Sequence, residues 1–424
     1  MLKLLLFFSL LISNCYCKCS QNKSRQIHLW HVKDDTRQAS IFLFGTIHIS
    51  WNEIWPHVHP SIRAAFDASD TVILELVLNN PKMTQILRQC RDLPLGVSLK
   101  EIIGKKIFNK LKKFLEMKRA NLTAAVLSHH SMHMGNHAQI LLNFQMTTTD
   151  WKNKRPVWLL FMLFHLLNMD DKKHSTTPML DMFLATEAQR YGKNIHSLES
   201  PAEQCNPLEN ISDKDIAFAI DHTLNYLVEN NHKFKFDHQK INPVDGIIEK
   251  YKCGELDDSI FETTQFLDVK SENSVMSNTI QQQIRQKMFT VRNERMAKRL
   301  HDYFKTFKNE TIFVAIGAAH FIGDSNVIDE LKRIYPYKIT SVKNDDIFDS
   351  NFIESKHFNL QSDFKSFRNL WERDETPIKF RQKDFIIWKQ EYPSEIFHSS
   401  AFSLQIQLPH LILFTAILLW LYYL

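Results

Sequence analysis

The chain has nine glycines in 424 residues, and none of them falls into G-x-G-x-x-G or G-x-x-x-x-G-K-[ST]. That removes the dinucleotide and nucleoside-triphosphate cradles, which need closely spaced glycines to bring backbone N–H groups onto phosphate. No G-x-S-x-G elbow and no H-E-x-x-H is present, so the common serine-hydrolase and zincin arrangements are missing as well. Cysteine is scarce, six in all, and no C-x-x-C occurs beyond the cluster Cys15, Cys17 and Cys19, which leaves a cysteine zinc site little to build on. Neither sign of charge dominates: 52 Lys and Arg stand against 47 Asp and Glu, a net of +5 spread along the chain without a basic stripe. The most basic segment, KKIFNKLKKFLEMKR, carries Ile107, Leu111, Phe114 and Leu115 at helical spacing and reads as the solvated face of a helix. No nucleic-acid partner is expected.

What is present starts at the ends. MLKLLLFFSLLISNCYC has one early Lys, an apolar run from Leu4 to Ile12 and then small and polar residues, the pattern of a secretory signal peptide over 1–17. A retained first membrane helix would need roughly 20 apolar residues. At the other end, LPHLILFTAILLWLYYL (408–424) reads as a membrane anchor. One form is the transmembrane helix of a single-pass type I protein in the cell membrane. The other is a lipid-anchor signal that is cut away, with Ser399, Ser400 and Ala401 as small residues upstream. Both place the body of the chain outside the cell or in the secretory lumen, where disulfides persist. Cys19, Cys90, Cys205 and Cys253 then allow three pairings. Sequons at Asn22, Asn121, Asn210 and Asn309 suit glycosylation of a secreted surface.

Between the ends, short β-rich runs at 41–48 (IFLFGTIH), 71–76 (TVILEL), 312–317 (IFVAIG) and 337–342 (YKITSV) are separated by segments of helical period. This predicts an α/β fold with a central, mostly parallel sheet, helices packed around it and a largely helical middle insertion at about 100–240. PVWLLFMLFHLL (156–167) is apolar nearly all round but about a dozen residues long, which predicts a buried core helix and not a membrane span. From Ile280 to Phe307 there is neither Gly nor Pro, which predicts one long helix whose middle carries Asn293, Glu294 and Arg295 where a core stripe would run on. From about Lys343 the pattern weakens into a C-terminal extension, with 376–407 as a juxtamembrane segment.

Two G-x-x-H motifs carry the chemistry. Gly45-Thr46-Ile47-His48 and Gly317-Ala318-Ala319-His320 each follow an apolar strand. Sites in α/β sheets collect beyond the carboxyl ends of strands, and imidazole is a common ligand for divalent metals. Glu75 sits at the end of TVILEL, where an unpaired charge is costly; it is either ion-paired with Arg or capping a helix, or it is a metal ligand or a base acting on metal-bound water. Glu199 closes a similar short run, Ile195 to Leu198, and Glu294 and Arg295 are either a structural pair or groups that orient the ligands. Asp324 is expected to cap a helix running through Leu331. In HHSMHMGNH, His129, His133 and His137 fall at helical spacing and form a second, weaker metal candidate.

FGTIHIS with Trp55 soon after, ILEL, GKNIHSLESPAEQC, RNERMAKRL and GAAHFIGDSNV, in that order, resemble the TIKI metalloproteases, membrane-anchored relatives of the TraB/PrgY proteins. The resemblance runs from about residue 27 to near 370, and implies a catalytic domain within 18–375. It implies a divalent metal, manganese or cobalt, and cleavage near the amino terminus of secreted Wnt proteins as substrate. Carried onto this chain, the catalytic centre would be His48, His320 and Glu75. Where the family often shows two acidic residues after the second motif's glycine, this chain has Asp324 followed by Ser325. The competing reading is a silent surface protein that sequesters a peptide or protein ligand; a transport or haem-handling role rests on fold analogy alone.

Overall fold

Three of the four apolar short runs of the chain, 41–46, 71–74 and 312–317, lie side by side in one six-stranded sheet. In this computed structural model the described residues are 26–79, 81–127, 134–168, 178–230, 243–257 and 274–343. The strands are β1 (Gln26–Lys33), β2 (Ile41–Thr46), β3 (Thr71–Leu74), β4 (Asn194–Ser197), β5 (Ile312–Gly317) and β6 (Lys338–Lys343), in the order β4-β3-β5-β2-β1-β6. β2 and β5 pair in parallel from Ile41 with Ile312 to Thr46 with Gly317, and every residue of both is buried. A strand covered on both faces has no polar side to show, which is why these two read as continuous apolar runs. β3 joins the other side of β5 in parallel, and β4 joins β3 in parallel at the edge. β1 is antiparallel to both β2 and β6.

The expected parallel core is therefore present, with two differences at its rim. YKITSV is no buried parallel strand; it lies at the far edge, antiparallel to β1, and of β6 only Val342 is buried. β1 itself, QIHLWHVK, has no strand signal in the sequence because His28 and His31 interrupt its apolar residues.

One face of the sheet packs Leu43, Ile73 and Val314 against Met296, Ala297, Leu300 and Phe304 of the Val291–Thr306 helix and against Val327 and Leu331 of the Val327–Ile334 helix. The opposite face is aromatic, with Phe44 and Phe66 against Phe313, and Trp55 between Phe66 and Phe183. The helical middle has its own core, in which Leu111, Phe114 and Leu115 of the Lys105–Leu127 helix meet the Pro156–Asn168 and Asp213–Asn230 helices. The apolar Pro156–Asn168 segment is a buried core helix, as expected. Among the described residues no helix is long and apolar enough to cross a membrane.

The helix expected from Ile280 to Phe307 runs from Ser274 to Thr306, but through a five-residue π turn, Gln286–Thr290. Cys90 and Cys205 form a disulfide at a sequence separation of 115, and Cys253 is also disulfide-bonded. Asn121, Asn210 and Asn309 are exposed. The signal peptide (1–17), Cys19, Asn22, His129, His133, the 376–407 segment and the 408–424 anchor lie outside the described residues, as does the side chain of His137.

Candidate functional site

Four parallel strands in one sheet deliver their carboxyl ends to one edge, and each is followed there by a residue able to do chemistry. His48 comes two residues after β2, Glu75 one after β3, Glu199 two after β4 and His320 three after β5. The pairing continues past the strands: the backbone N–H of Leu198 donates to the Leu74 carbonyl at 2.8 Å and that of Glu199 to the Glu75 carbonyl at 2.9 Å.

Gly317 marks the point on which three of these side chains converge. A Cβ built on it would lie 3.1 Å from Glu75 Oε1, 3.7 Å from His320 Cδ2 and 3.8 Å from His48 Nε2. The glycine is needed for space, since its φ of −52° is open to any residue. Gly45 has a different duty: a Cβ there would meet the Cα of Ala318 at 3.1 Å, so the two G-x-x-H segments pack on one another.

Each group has a fixed partner. His48 Nδ1 lies 2.7 Å from Asp181 Oδ2, and Asp181 Oδ1 accepts from the Thr46 hydroxyl at 2.8 Å. Burial pulls the His48 pKa down, but the charge and hydrogen bond of Asp181, with Glu75 behind them, carry it up to about 9. The same contact holds Asp181 below the usual carboxylate range against its burial. His320 is buried, with Nδ1 2.6 Å from Asn293 Oδ1 and Nε2 3.7 Å from Glu75 Oε1. Burial and then the Arg292 guanidinium depress its pKa to about 4, so it is neutral at physiological pH.

Glu75 Oε1 accepts the Gly317 N–H, donor to acceptor 2.6 Å, and Oε2 accepts from Arg292 at 3.1 Å. Burial raises its pKa, yet the Arg292 guanidinium, the His48 ring and the Gly317 N–H hold it below the usual value. Arg292 makes a bidentate contact with Glu199, 2.8 Å from Nε and 2.7 Å from Nη2. Arg295 reaches Glu199 at 3.2 Å and Glu203 at 2.8 Å, and Arg299 binds Glu203 twice, at 2.8 and 3.0 Å. A buried carboxylate needs such company to remain charged.

The structure thus brings His48, His320, Glu75, Glu199 and Arg295 to one region and leaves two expected residues out. Glu294 faces solvent and pairs with Lys298 at 2.8 Å, because it falls off the buried stripe of its helix. Asp324 is exposed in the turn before the Val327–Ile334 helix; the cap is Asn326, whose side chain accepts from the Asp329 N–H at 3.0 Å. Three partners were not anticipated: Thr46, Asp181 and Arg292. Arg292 has a signal in the sequence, since stepping the stripe Leu300, Ala297, Met296 back by three and four residues reaches Asn293 and Arg292. Asp181 has a fainter one, a lone acid between Leu180 and Met182.

The donor chemistry fits a divalent cation. Two imidazoles and a carboxylate surround a space that only a glycine leaves open, and an oxygen partner on Nδ1 is the usual support of a ligating histidine. A cation binding His48 at Nε2 would take the place of a proton on that nitrogen, while the Nδ1 proton stays with Asp181. Among the described residues no three His, Cys, Asp or Glu side chains are close enough to hold a metal ion as they stand, so binding takes a movement of these side chains.

Comparison with known proteins gives the family. Residues 28–335 match the TraB/PrgY/gumN family. The chain is 30% identical to metalloprotease TIKI1 of Xenopus tropicalis over 76% of its own length and 63% of the relative's. It is 30% identical to metalloprotease TIKI2 of Danio rerio over 73% and 60% of the two lengths. With the metalloprotease TIKI homolog of Nematostella vectensis it shares 30% identity over 77% and 70%. The chain thus spans about three fifths of the length of the first two relatives. No solved structure matches it. The chain belongs to the TraB/PrgY/gumN family, in its TIKI group.

Proposed function

We propose that this chain is a metal-dependent peptidase, anchored to the cell membrane with its catalytic domain outside the cell, that cuts near the amino terminus of secreted Wnt proteins and so restrains Wnt signalling. The observation that carries the chemical part is the convergence of His48, His320 and Glu75 on the open face of Gly317. The relatives' names support a metalloprotease, the family resemblance supports Wnt proteins as substrate, and the Cys90–Cys205 disulfide supports an oxidising compartment.

In this reading His48 and His320 would hold Mn²⁺ or Co²⁺, with Glu75 as the anionic ligand. Bound there, such an ion supplies a Lewis acid for the scissile carbonyl and acidifies water. Asp181 and Thr46 keep the His48 ring turned toward Gly317. Arg292, held by Glu199, fixes Glu75 Oε2 so that Oε1 faces the histidines. A carboxylate kept ionised by cationic neighbours is a weak base and a good ligand, which favours cation binding over proton abstraction for Glu75.

The test is the full chain, purified in detergent and incubated with a Wnt amino-terminal peptide plus Mn²⁺, Co²⁺ or chelator, with products read by mass spectrometry. Cleavage that needs the metal and is lost in His48→Ala and His320→Ala supports the reading. Cleavage that persists in both variants sinks the site, and tight peptide binding without product or metal favours a sequestering protein.

A further inference from the structure

We infer that Asn293 selects the ring tautomer of His320, and with it the nitrogen that this histidine offers to a cation. The inference deepens the metal reading above and rests on it for its consequence, though not for its geometry. Asn293 is 2% exposed and lies on the buried stripe of the Val291–Thr306 helix, between Met296 and the π turn. Its Nδ2 donates to the Ser325 carbonyl at 2.9 Å. An amide whose NH₂ is committed to a carbonyl on one side has its oxygen to offer on the other. That oxygen is 2.6 Å from His320 Nδ1, and two acceptors do not attract. The proton of the neutral ring therefore sits on Nδ1, and the lone pair on Nε2, the atom 3.7 Å from Glu75 Oε1.

The carbonyl that orients the amide is itself held. Ser325 has φ 56°, in the left-handed region that side-chain-bearing residues rarely occupy, and Gly323 two residues earlier has φ 75°. Asn326 next in sequence caps the following helix and also donates from Nδ2 to the Gly323 carbonyl at 2.9 Å, so the turn is tied on both sides. A non-glycine residue kept in such a conformation points to a use for the geometry it creates. Here the use is a carbonyl aimed at Asn293.

At His48 the partner is Asp181, which can only accept and so also holds a proton on Nδ1. The difference is charge. A neutral amide fixes the His320 tautomer without adding a second negative group beside Glu75, whereas the carboxylate at His48 fixes the tautomer and raises basicity.

The experiment uses the full chain in detergent, metal-free and labelled with ¹⁵N-histidine, with tautomers read from long-range ¹H–¹⁵N correlations and His320 assigned by its absence in His320→Gln. The expected wild-type state is Nδ1–H with a bare Nε2. Asn293→Ala shifts population to Nε2–H, and Ser325→Gly, which keeps the carbonyl and tolerates the backbone, leaves the tautomer as it is. An Nε2–H tautomer in the wild type, or an unchanged tautomer in Asn293→Ala, overturns the inference. Calorimetric titration with Mn²⁺ then reads the consequence: Asn293→Ala is expected to weaken binding by about 10–100-fold, the usual loss when the outer partner of a ligating histidine is removed. Unchanged affinity overturns that consequence. A wild-type chain that binds no Mn²⁺ sinks the metal reading alone, since the tautomer still decides the role of Asn293.

Discussion

Two glycines in identical motifs serve different ends. Gly45→Ala places a methyl 3.1 Å from backbone at Ala318, where nothing can swing aside, so it is expected to destabilise the fold by about 1–3 kcal/mol, the range for overpacking, in urea unfolding. Gly317→Ala places a methyl among the ends of Glu75, His320 and His48, which have other rotamers. It is expected to leave the urea midpoint near wild type and to abolish Mn²⁺ binding by calorimetry. Equal unfolding penalties with intact metal binding would contradict this division of roles. The repeated G-x-x-H was legible in the sequence, and so was its place after a buried strand. Its two purposes were not, because each depends on what the other motif and Glu75 bring within 4 Å, and a linear pattern does not carry those distances.

The strand end is the element that builds the site, and the buried Arg and Glu groups behind it keep the strand ends together. Glu199 lies among Arg292 and Arg295 with its side chain 1% exposed, so Glu199→Ala leaves the buried Arg292 without its bidentate carboxylate. Removing one partner of a buried pair costs about 3–5 kcal/mol, and chemical unfolding should show a loss of that size. Glu203 gives the pH dependence. Burial raises its pKa, but Arg299 and the Ser200 N–H and hydroxyl hold it down at about 2. Since the folded value lies below the unfolded one, near 4.5, the contribution is complete above about pH 4.5 and is lost as pH falls toward 2. Glu203→Gln should therefore flatten the fall in stability between pH 5 and 2 in urea unfolding followed at each pH; an unchanged profile would deny the residue this part. At this scale β2, β3 and β5 could be read from their apolar runs, and β4 from Ile195 to Leu198. The sequence places Asn293, Glu294 and Arg295 where the core stripe would run on; Asn293 is on it, but its companion is Arg292 and not Glu294, because the stripe is set by Met296, Ala297 and Leu300 below them. Asp181 was out of reach, since only the turn that pairs the Leu180 N–H with the Ile49 carbonyl, at 2.9 Å, brings it to His48.

In the whole molecule, the Cys90–Cys205 disulfide ties the helix after β3 to the one after β4, across a sequence separation of 115 that takes in the Lys105–Leu127 and Pro156–Asn168 helices. Constraining a loop of that length in the unfolded chain stabilises by about 4–5 kcal/mol, and the double variant Cys90→Ala/Cys205→Ala should lower the unfolding free energy by a similar amount; an unchanged value would mean that this closure adds nothing. The even cysteine count was visible in the sequence, but the pairing needed the fold, because it depends on two helices reaching the same strand ends. The central claim is that His48, His320 and Glu75 together hold one divalent ion. Elemental analysis of the full chain, loaded with Mn²⁺ and desalted, measures this most directly, comparing wild type with His48→Ala, His320→Ala and Glu75→Ala. The account predicts about one manganese per wild-type chain and a loss of most of it in each variant. Metal retained at the wild-type level in any of the three, with the fold intact by circular dichroism, would contradict it.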